Sequence, residues 1–330
     1  MMPSPCFQSI ARNASHIAGE ARNEESLFFV SGIDAGAWAL HPCGIADNFS
    51  GRMMTEYERI TVAPVSGALG AEIGGVDVAD ELDEATIGEI RRALLDHLVI
   101  FFRGQNLSVD RHKAFTRRFG DIFIHPNYQL GQEDKEMVYL LRQPGDTSVA
   151  GERWHADTTM METPPMGAIL YALEAPEIGG DTLFANQYLA YETLSDGMQD
   201  MLDGLNAVHS DIRVAGPQSD VNSKRSSKVR DDADWRPTVH AHPIVRVHPE
   251  TGRKCLFVNS VYTMHIEGMT EAESAPILDF LYDHQCRPEF TCRFRWQPGS
   301  IAFWDNRSSL HLAIHDNFDC VRHMQRTQIA

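Results

Sequence analysis

The chain lacks the apolar run of 18 or more residues that a bilayer-spanning helix needs. Its longest candidate, 26–40, is broken by Asp34 and by glycines. No basic stretch followed by an apolar one opens the sequence, so no secretory signal is read and a cytoplasmic location is expected. Basic charge is scarce: 29 Lys and Arg stand against 46 Asp and Glu, a formal net charge of -17. That balance argues against a nucleic-acid partner, which demands a basic footprint. Six cysteines are scattered with no C-x-x-C pair, which reads as reduced thiols and not as a disulfide framework. There is no G-x-S-x-G, so Ser308, Ser309 and His311 make a poor hydrolase triad. There is no H-E-x-x-H, which disfavours a zincin, and Gly67–Gly75 is not G-x-G-x-x-G.

What remains is the composition of an ordinary globular protein, 43% apolar and 23% charged over 330 residues. Residues 1–54 carry few charges and no periodicity. They read as a disordered or loosely docked extension, or as untranslated sequence before a true start at Met53 or Met54. From residue 55 on, one domain is expected. Ile87, Ile90, Leu94 and Leu95 recur at helical spacing over Glu84–His97. Leu98–Phe102 is a short apolar run and predicts a buried strand. Ser108 is a candidate N-cap for a helix reaching Phe119. Strands are expected at Met137–Leu141, Gly167–Leu173, Val239–Val247 and Lys254–Asn259. They are also expected as pairs over Phe290–Trp296, Ser300–Trp304, Leu310–Ile314 and Arg322–Ile329. Helices are expected over Leu189–Leu205 and after Thr270, where Glu273 completes a capping box. Gly216–Pro237 has no periodicity and reads as disordered or as a lid. Strands with a minority of helices predict an α+β or mainly-β barrel or sandwich.

Fifteen histidines are too many for all to be functional. The sharpest pattern is Trp154-His155-Ala156-Asp157. On a strand, His155 and Asp157 face the same way. One more imidazole would complete a two-His, one-carboxylate face with open positions, which suits non-haem Fe(II). H-x-D alone is common, and a purely structural reading is its usual explanation. The second pattern is Trp304-Asp305-Asn306-Arg307 followed by His311, Arg322 and Arg326. The two arginines share a strand face, and a guanidinium fork binds carboxylates bidentately.

These motifs occur in order with Phe119-Gly120-Asp121-x-x-x-His125-Pro126, Thr163-Pro164-Pro165, Gly179-Gly180-Asp181-Thr182, Val258-Asn259 and Arg295-Trp296. Together they resemble the taurine dioxygenase/2,4-dichlorophenoxyacetate dioxygenase family of Fe(II)- and 2-oxoglutarate-dependent oxygenases, from about residue 57 to 329. The resemblance implies a mainly-β fold with flanking helices, built on a double-stranded β-helix (jelly-roll, clavaminate synthase-like). It implies His155, Asp157 and His311 as iron ligands. It implies Arg322, assisted by Thr182, as the anchor for the distal carboxylate of 2-oxoglutarate. Arg326, His125 and Tyr128 match the substrate side. O2 is the oxidant, and a homodimer or homotetramer is the expected assembly.

Implied chemistry is oxidative decarboxylation of 2-oxoglutarate to succinate and CO2, coupled to hydroxylation of a small organic anion next to a heteroatom. The hydroxylated product then fragments. Taurine or a related alkylsulfonate leads the substrate readings; a sulfate ester or a phenoxyalkanoate ether is the alternative. Gly151 departs from the family's taurine pattern, which has asparagine there, and Val258–Tyr262, Ile266–Thr270 and Phe290–Arg293 look closer to the ether-cleaving relatives. Asp305 and Asn306 are expected to support the site. From other classes, a jelly-roll hydrolase or isomerase could hold Zn(II) or Mn(II) on the same triad, and a binding protein could keep the fold alone.

Overall fold

The computed structural model describes residues 56–128, 133–317 and 319–330. The 1–54 extension, with its two candidate starts, lies outside these residues. Strands β1 (Thr61–Pro64) and β2 (Ala71–Gly74) form an antiparallel hairpin. Gly70 closes it at φ +91, where a Cβ would stand 2.7 Å from Val65. Helix α1 (Glu84–His97) starts at Asp83, whose side chain accepts the Thr86 N–H, and buries Ile87, Ile90 and Leu94. It stops at Leu98, which takes a left-handed φ of 65 while its N–H reaches the Leu94 carbonyl. That conformation is costly for a branched residue, and Leu98 is held in it by burial. β3 (Val99–Phe102) follows at once, and α2 (Val109–Arg117) starts on the Ser108 cap.

Next come β4 (Val138–Arg142), β5 (Gly167–Glu174) and β6 (Thr182–Asn186). The helix expected over Leu189–Leu205 is two, α3 (Gln187–Glu192) and α4 (Asp196–Leu202). Ser195 divides them: its hydroxyl caps a new start by accepting the Met198 N–H. The chain continues through β7 (Asn206–Ser210), α5 (Val221–Lys224), β8 (Val239–Pro243), β9 (Val245–Val247), β10 (Lys254–Leu256) and β11 (Thr263–Ile266). Helix α6 (Glu271–Gln285) carries the expected Thr270–Glu273 capping box. β12 (Thr291–Phe294), β13 (Ile301–Asp305), β14 (Ser309–Ala313) and β15 (Arg322–Ile329) complete it.

The large sheet runs β1-β2-β3-β13-β5-β15-β4, and a three-stranded sheet runs β12-β6-β14. Side chains alternate along β3 and β13. Ile100, Phe102, Ile301 and Phe303 pack with Ile90, Leu94, Phe115 and Phe119 of the helices. Val99, Phe101, Ala302 and Trp304 face the other way, into a core with Phe184, Phe294 and Trp296. Both faces are therefore buried, which is why β3 reads as an unbroken apolar run and not as an alternating one. The Phe101 and Phe294 rings stack at 4.0 Å between the two sheets.

Candidate functional site

The H-x-D motif does not sit on a regular strand. His155 forms an isolated antiparallel bridge with His311 of β14, and the chain then turns through 157–160. Both bridge hydrogen bonds are made: His155 N–H to the His311 carbonyl at 3.0 Å, and His311 N–H to the His155 carbonyl at 2.8 Å. A mutually bonded pair puts both side chains on one face, and the rings lie 4.1 Å apart. Asp157 is brought to the same face by the turn. Thr158 follows it at φ 48 and is fully buried, a conformation that β-branched residues rarely take. Asn306 fixes that turn. Its side-chain oxygen accepts the Asp157 N–H at 2.8 Å, and its NH2 donates to the Asp157 carbonyl at 3.0 Å.

An Asp157 carboxylate oxygen lies 3.8 Å from His155 Nε2 and 3.9 Å from His311 Nε2. The three ligand atoms fall within 4.8 Å of one another, and all three residues are buried. His155 Nδ1–H donates to the Arg153 carbonyl at 2.8 Å, which leaves the Nε2 lone pair toward the cluster. Asp157 Oδ2 and His311 Nδ1 have no hydrogen-bond partner. Two neutral imidazoles and one carboxylate on a single face, with an orphaned carboxylate oxygen, fit a divalent iron that keeps open positions. Burial pulls both histidines down from their ordinary value, which keeps them neutral. Burial alone would raise Asp157, but the Arg326 guanidinium beside it outweighs burial and holds the carboxyl at about 2.

The cluster opens into a cavity that reaches solvent. Every site residue read from the sequence lines it: His125, Tyr128, His155, Asp157, Thr182, His311, Arg322 and Arg326. Arg322 and Arg326, two alternations apart on β15, face it together. Arg326 Nη1 donates to Asp157 Oδ1 at 3.0 Å, while its Nε and Nη2 have no partner. Arg322 lies over the Trp296 ring with its Nε unpartnered. Burial and the neighbouring Arg142 pull it down to about 10. The Thr182 hydroxyl accepts from Trp296 Nε1 at 2.9 Å. His125 Nδ1 accepts the Asn127 N–H at 3.1 Å, so the ring proton sits on Nε2. Burial, with Arg326 adding to it, lowers His125 to about 3, and it acts as a neutral donor.

Sequence reasoning named Gly151 and Trp304 without the contacts they make, and did not name Arg225. Gly151 sits at φ +81, and a Cβ there would meet the His155 ring at 2.9 Å. It is a close approach, so no side chain fits where the taurine pattern has asparagine. Trp304 packs at 4.6 Å on the His311 ring. Arg225 reaches the cavity from the aperiodic stretch 216–237. That stretch is not loose. Asn222 bonds Val229 within it, and Ser226 and Ser227 tie it to Asp146 and to both backbone groups of Leu141.

Against known proteins, the sequence matches the taurine catabolism dioxygenase TauD, TfdA family over residues 61–328. The chain belongs to that family. It is 35% identical over 275 residues to an alpha-ketoglutarate-dependent sulfate ester dioxygenase from Pseudomonas putida, covering 82% of this chain and 89% of that one. It is 30% identical to an (S)-phenoxypropionate/alpha-ketoglutarate-dioxygenase from Delftia acidovorans, covering 82% and 95%. The crystal structure of a taurine dioxygenase from Burkholderia xenovorans superposes with a TM-score of 0.69 at 38% identity, covering 82% and 89%. The protein is thus a 2-oxoglutarate-dependent dioxygenase of mainly-β fold, with Fe(II), 2-oxoglutarate and O2 as its cofactor and co-substrates. Its substrate is a small molecule. Among the described residues no helix is long and apolar enough to cross a membrane.

Proposed function

We propose that His155, Asp157 and His311 hold the iron, that Arg322 with Thr182 anchors the distal carboxylate of 2-oxoglutarate, and that Arg326, His125 and Tyr128 bind an organic anion beside them. The oxidised compound is an alkylsulfonate or alkyl sulfate, with taurine inside that class. The observation that carries this reading is the Arg326 guanidinium, 3.0 Å from the metal-face carboxylate with two buried nitrogens unpartnered. An anion seated on it would hold its adjacent carbon close to the metal face. His125, neutral with its proton on Nε2, supplies a further donor without adding charge.

Bound iron supplies the open coordination that O2 activation requires. The chain's own share is positioning. Asn306 orients Asp157, the Arg153 carbonyl orients His155, and Trp304 backs the His311 ring. Val214, Val221, Val229 and Val261 give the cavity an apolar wall, which suits an alkyl chain. The absence of any side chain at Gly151 removes a polar contact that a second polar group such as an amine would use. Hydroxylation of the carbon bearing sulfonate or sulfate gives an unstable product that releases sulfite or sulfate and an aldehyde.

The fold is read as a double-stranded β-helix, supported by the seven-stranded and three-stranded sheets packed through Phe101, Phe184 and Phe294. Residues 55–330 are read as one domain, and 1–54 as an extension to it. A cytoplasmic homo-oligomer is the expected form. The test is succinate release under air with Fe(II), ascorbate and 2-oxoglutarate, across taurine, alkylsulfonates, alkyl sulfates and phenoxyalkanoates. Sulfite or sulfate formed with stoichiometric succinate is the expected result. Phenol release would move the substrate to the ether class. Turnover of substrate without succinate, or in a metal-exchanged anaerobic sample, would favour a jelly-roll hydrolase or isomerase.

A further inference from the structure

Arg225 is a buried cavity arginine to which no task has been assigned. It follows α5, is 9% exposed, and lines the cavity with Arg326 and His125. Its Nε is buried without a partner, and among the described residues its guanidinium makes no ion pair or hydrogen bond. Its guanidinium carbon lies 5.8 Å from the centre of the Tyr128 ring, and that of Arg326 lies 5.9 Å from the same ring. Both guanidinia also bear on His125, pushing its proton affinity down.

The backbone around Arg225 is pinned on both sides. The Lys224 carbonyl accepts the N–H groups of Thr147 and Ser148, at 2.9 and 3.1 Å. Ser226 binds Asp146 through both its N–H and its hydroxyl at 3.0 Å. The Ser227 hydroxyl accepts the Leu141 N–H at 2.7 Å and donates to the Leu141 carbonyl at 2.9 Å, at the edge of β4. Lys228 donates to the Arg225 carbonyl itself at 2.7 Å. An arginine on such a frame is held where it is, and a buried guanidinium with no counter-ion is costly unless a ligand supplies one.

We propose that Arg225 is a second guanidinium for the substrate's anionic group, and that together with Arg326 it selects a tetrahedral –SO3⁻ group over a carboxylate. A carboxylate has two coplanar oxygens, and one fork engages both, leaving only in-plane lone pairs for a second cation. An –SO3⁻ group, on carbon or on ester oxygen, presents three oxygens in a trigonal array. It can take one fork from Arg326, a second from Arg225, and the His125 Nε2–H. Arg326 is already partly engaged by Asp157, whereas Arg225 has no carboxylate partner among the described residues and keeps its whole charge to offer. The inference rests on the substrate reading above and says which residue separates its sulfur and carboxylate branches.

The test is calorimetric binding of 1-hexanesulfonate, hexyl sulfate and hexanoate to the anaerobic complex with Fe(II) and 2-oxoglutarate. Wild type is compared with Arg225→Gln and Arg225→Lys, with thermal midpoints and 2-oxoglutarate affinity measured on each. Arg225→Gln is expected to weaken both sulfur ligands roughly 10- to 100-fold, the value of a charged hydrogen bond. Hexanoate and 2-oxoglutarate are expected to bind as in wild type, and Arg225→Lys to recover part of the loss. Unchanged sulfur-ligand binding in a folded Arg225→Gln would overturn the assignment and leave the substrate reading standing. Loss of 2-oxoglutarate affinity instead would overturn it by moving Arg225 to the co-substrate. Wild-type protein that binds 2-oxoglutarate but prefers hexanoate would overturn the substrate class along with it.

Discussion

Two clusters of buried charge, joined through the adjacent Asp305 and Asn306, are built on opposite plans. Around Asp305 every charge is answered. His248 Nε2 donates to it at 3.0 Å, Arg307 at 2.6 Å, and Arg307 reaches Glu250 at 2.8 Å. Around Asp157 the partners run short. One carboxylate oxygen, His311 Nδ1 and three nitrogens of Arg322 and Arg326 have none. Buried polar groups in a finished protein are paired, so the first cluster reads as structure and the second as the proposed binding site. The contrast also separates two neighbours in one motif: Asp305 braces the β13–β14 turn, while Asn306 aims Asp157.

The contrast can be broken first by substitution. Asp305→Ala strands His248 and Arg307 in the interior and is expected to cost about 3–5 kcal/mol of unfolding free energy, read by denaturant titration of the metal-free protein. His311→Ala is expected to leave stability much closer to wild type and to abolish iron-dependent turnover. Equal destabilisation by both would erase the distinction. Next in size, Arg322→Ala is expected to weaken 2-oxoglutarate by about 1.5–3 kcal/mol and to spare primary-substrate affinity. A loss confined to the primary substrate would mean that Arg322 and Arg326 have been given each other's roles.

Acid gives the smallest and most graded test. Burial holds His112 at about 4, where it bonds Gln325 and Thr327 beneath β15. Its folded value lies below its unfolded one. The stability it contributes is therefore full above about 6.5 and is lost as pH falls toward 4, at up to about 1.4 kcal/mol per pH unit. The thermal midpoint of the metal-free protein is expected to fall between pH 7 and 5, less steeply in His112→Gln. A flat profile in wild type would show that His112 is not held neutral.

Much of this was legible in the sequence because its cues are local. The Ser108 and Thr270 caps, the Leu98–Phe102 run and the spacing from His311 to Arg322 and Arg326 each depend on a few adjacent residues. Strands β6, β7 and β11 were not legible: TLFAN, NAVHS and TMHI are short and carry polar residues, and only their pairing partners make them strands. The split between α3 and α4 turned on a serine cap inside an apolar pattern. His155-x-Asp157 was read as a strand, yet a bridge and a turn bring its side chains together. Arg225 gave no signal at all, because its position is set by contacts to Asp146 and Leu141, far away in the chain.

The claim that the under-partnered cluster is the iron site is tested most directly by anaerobic titration of Fe(II) into wild type and Asp157→Asn, followed by calorimetry. Asparagine keeps an acceptor for Arg326 and removes the charge. One tightly bound Fe(II) per wild-type chain, and loss of that binding in a folded Asp157→Asn, is the predicted result. Equal iron binding by both proteins would contradict the account.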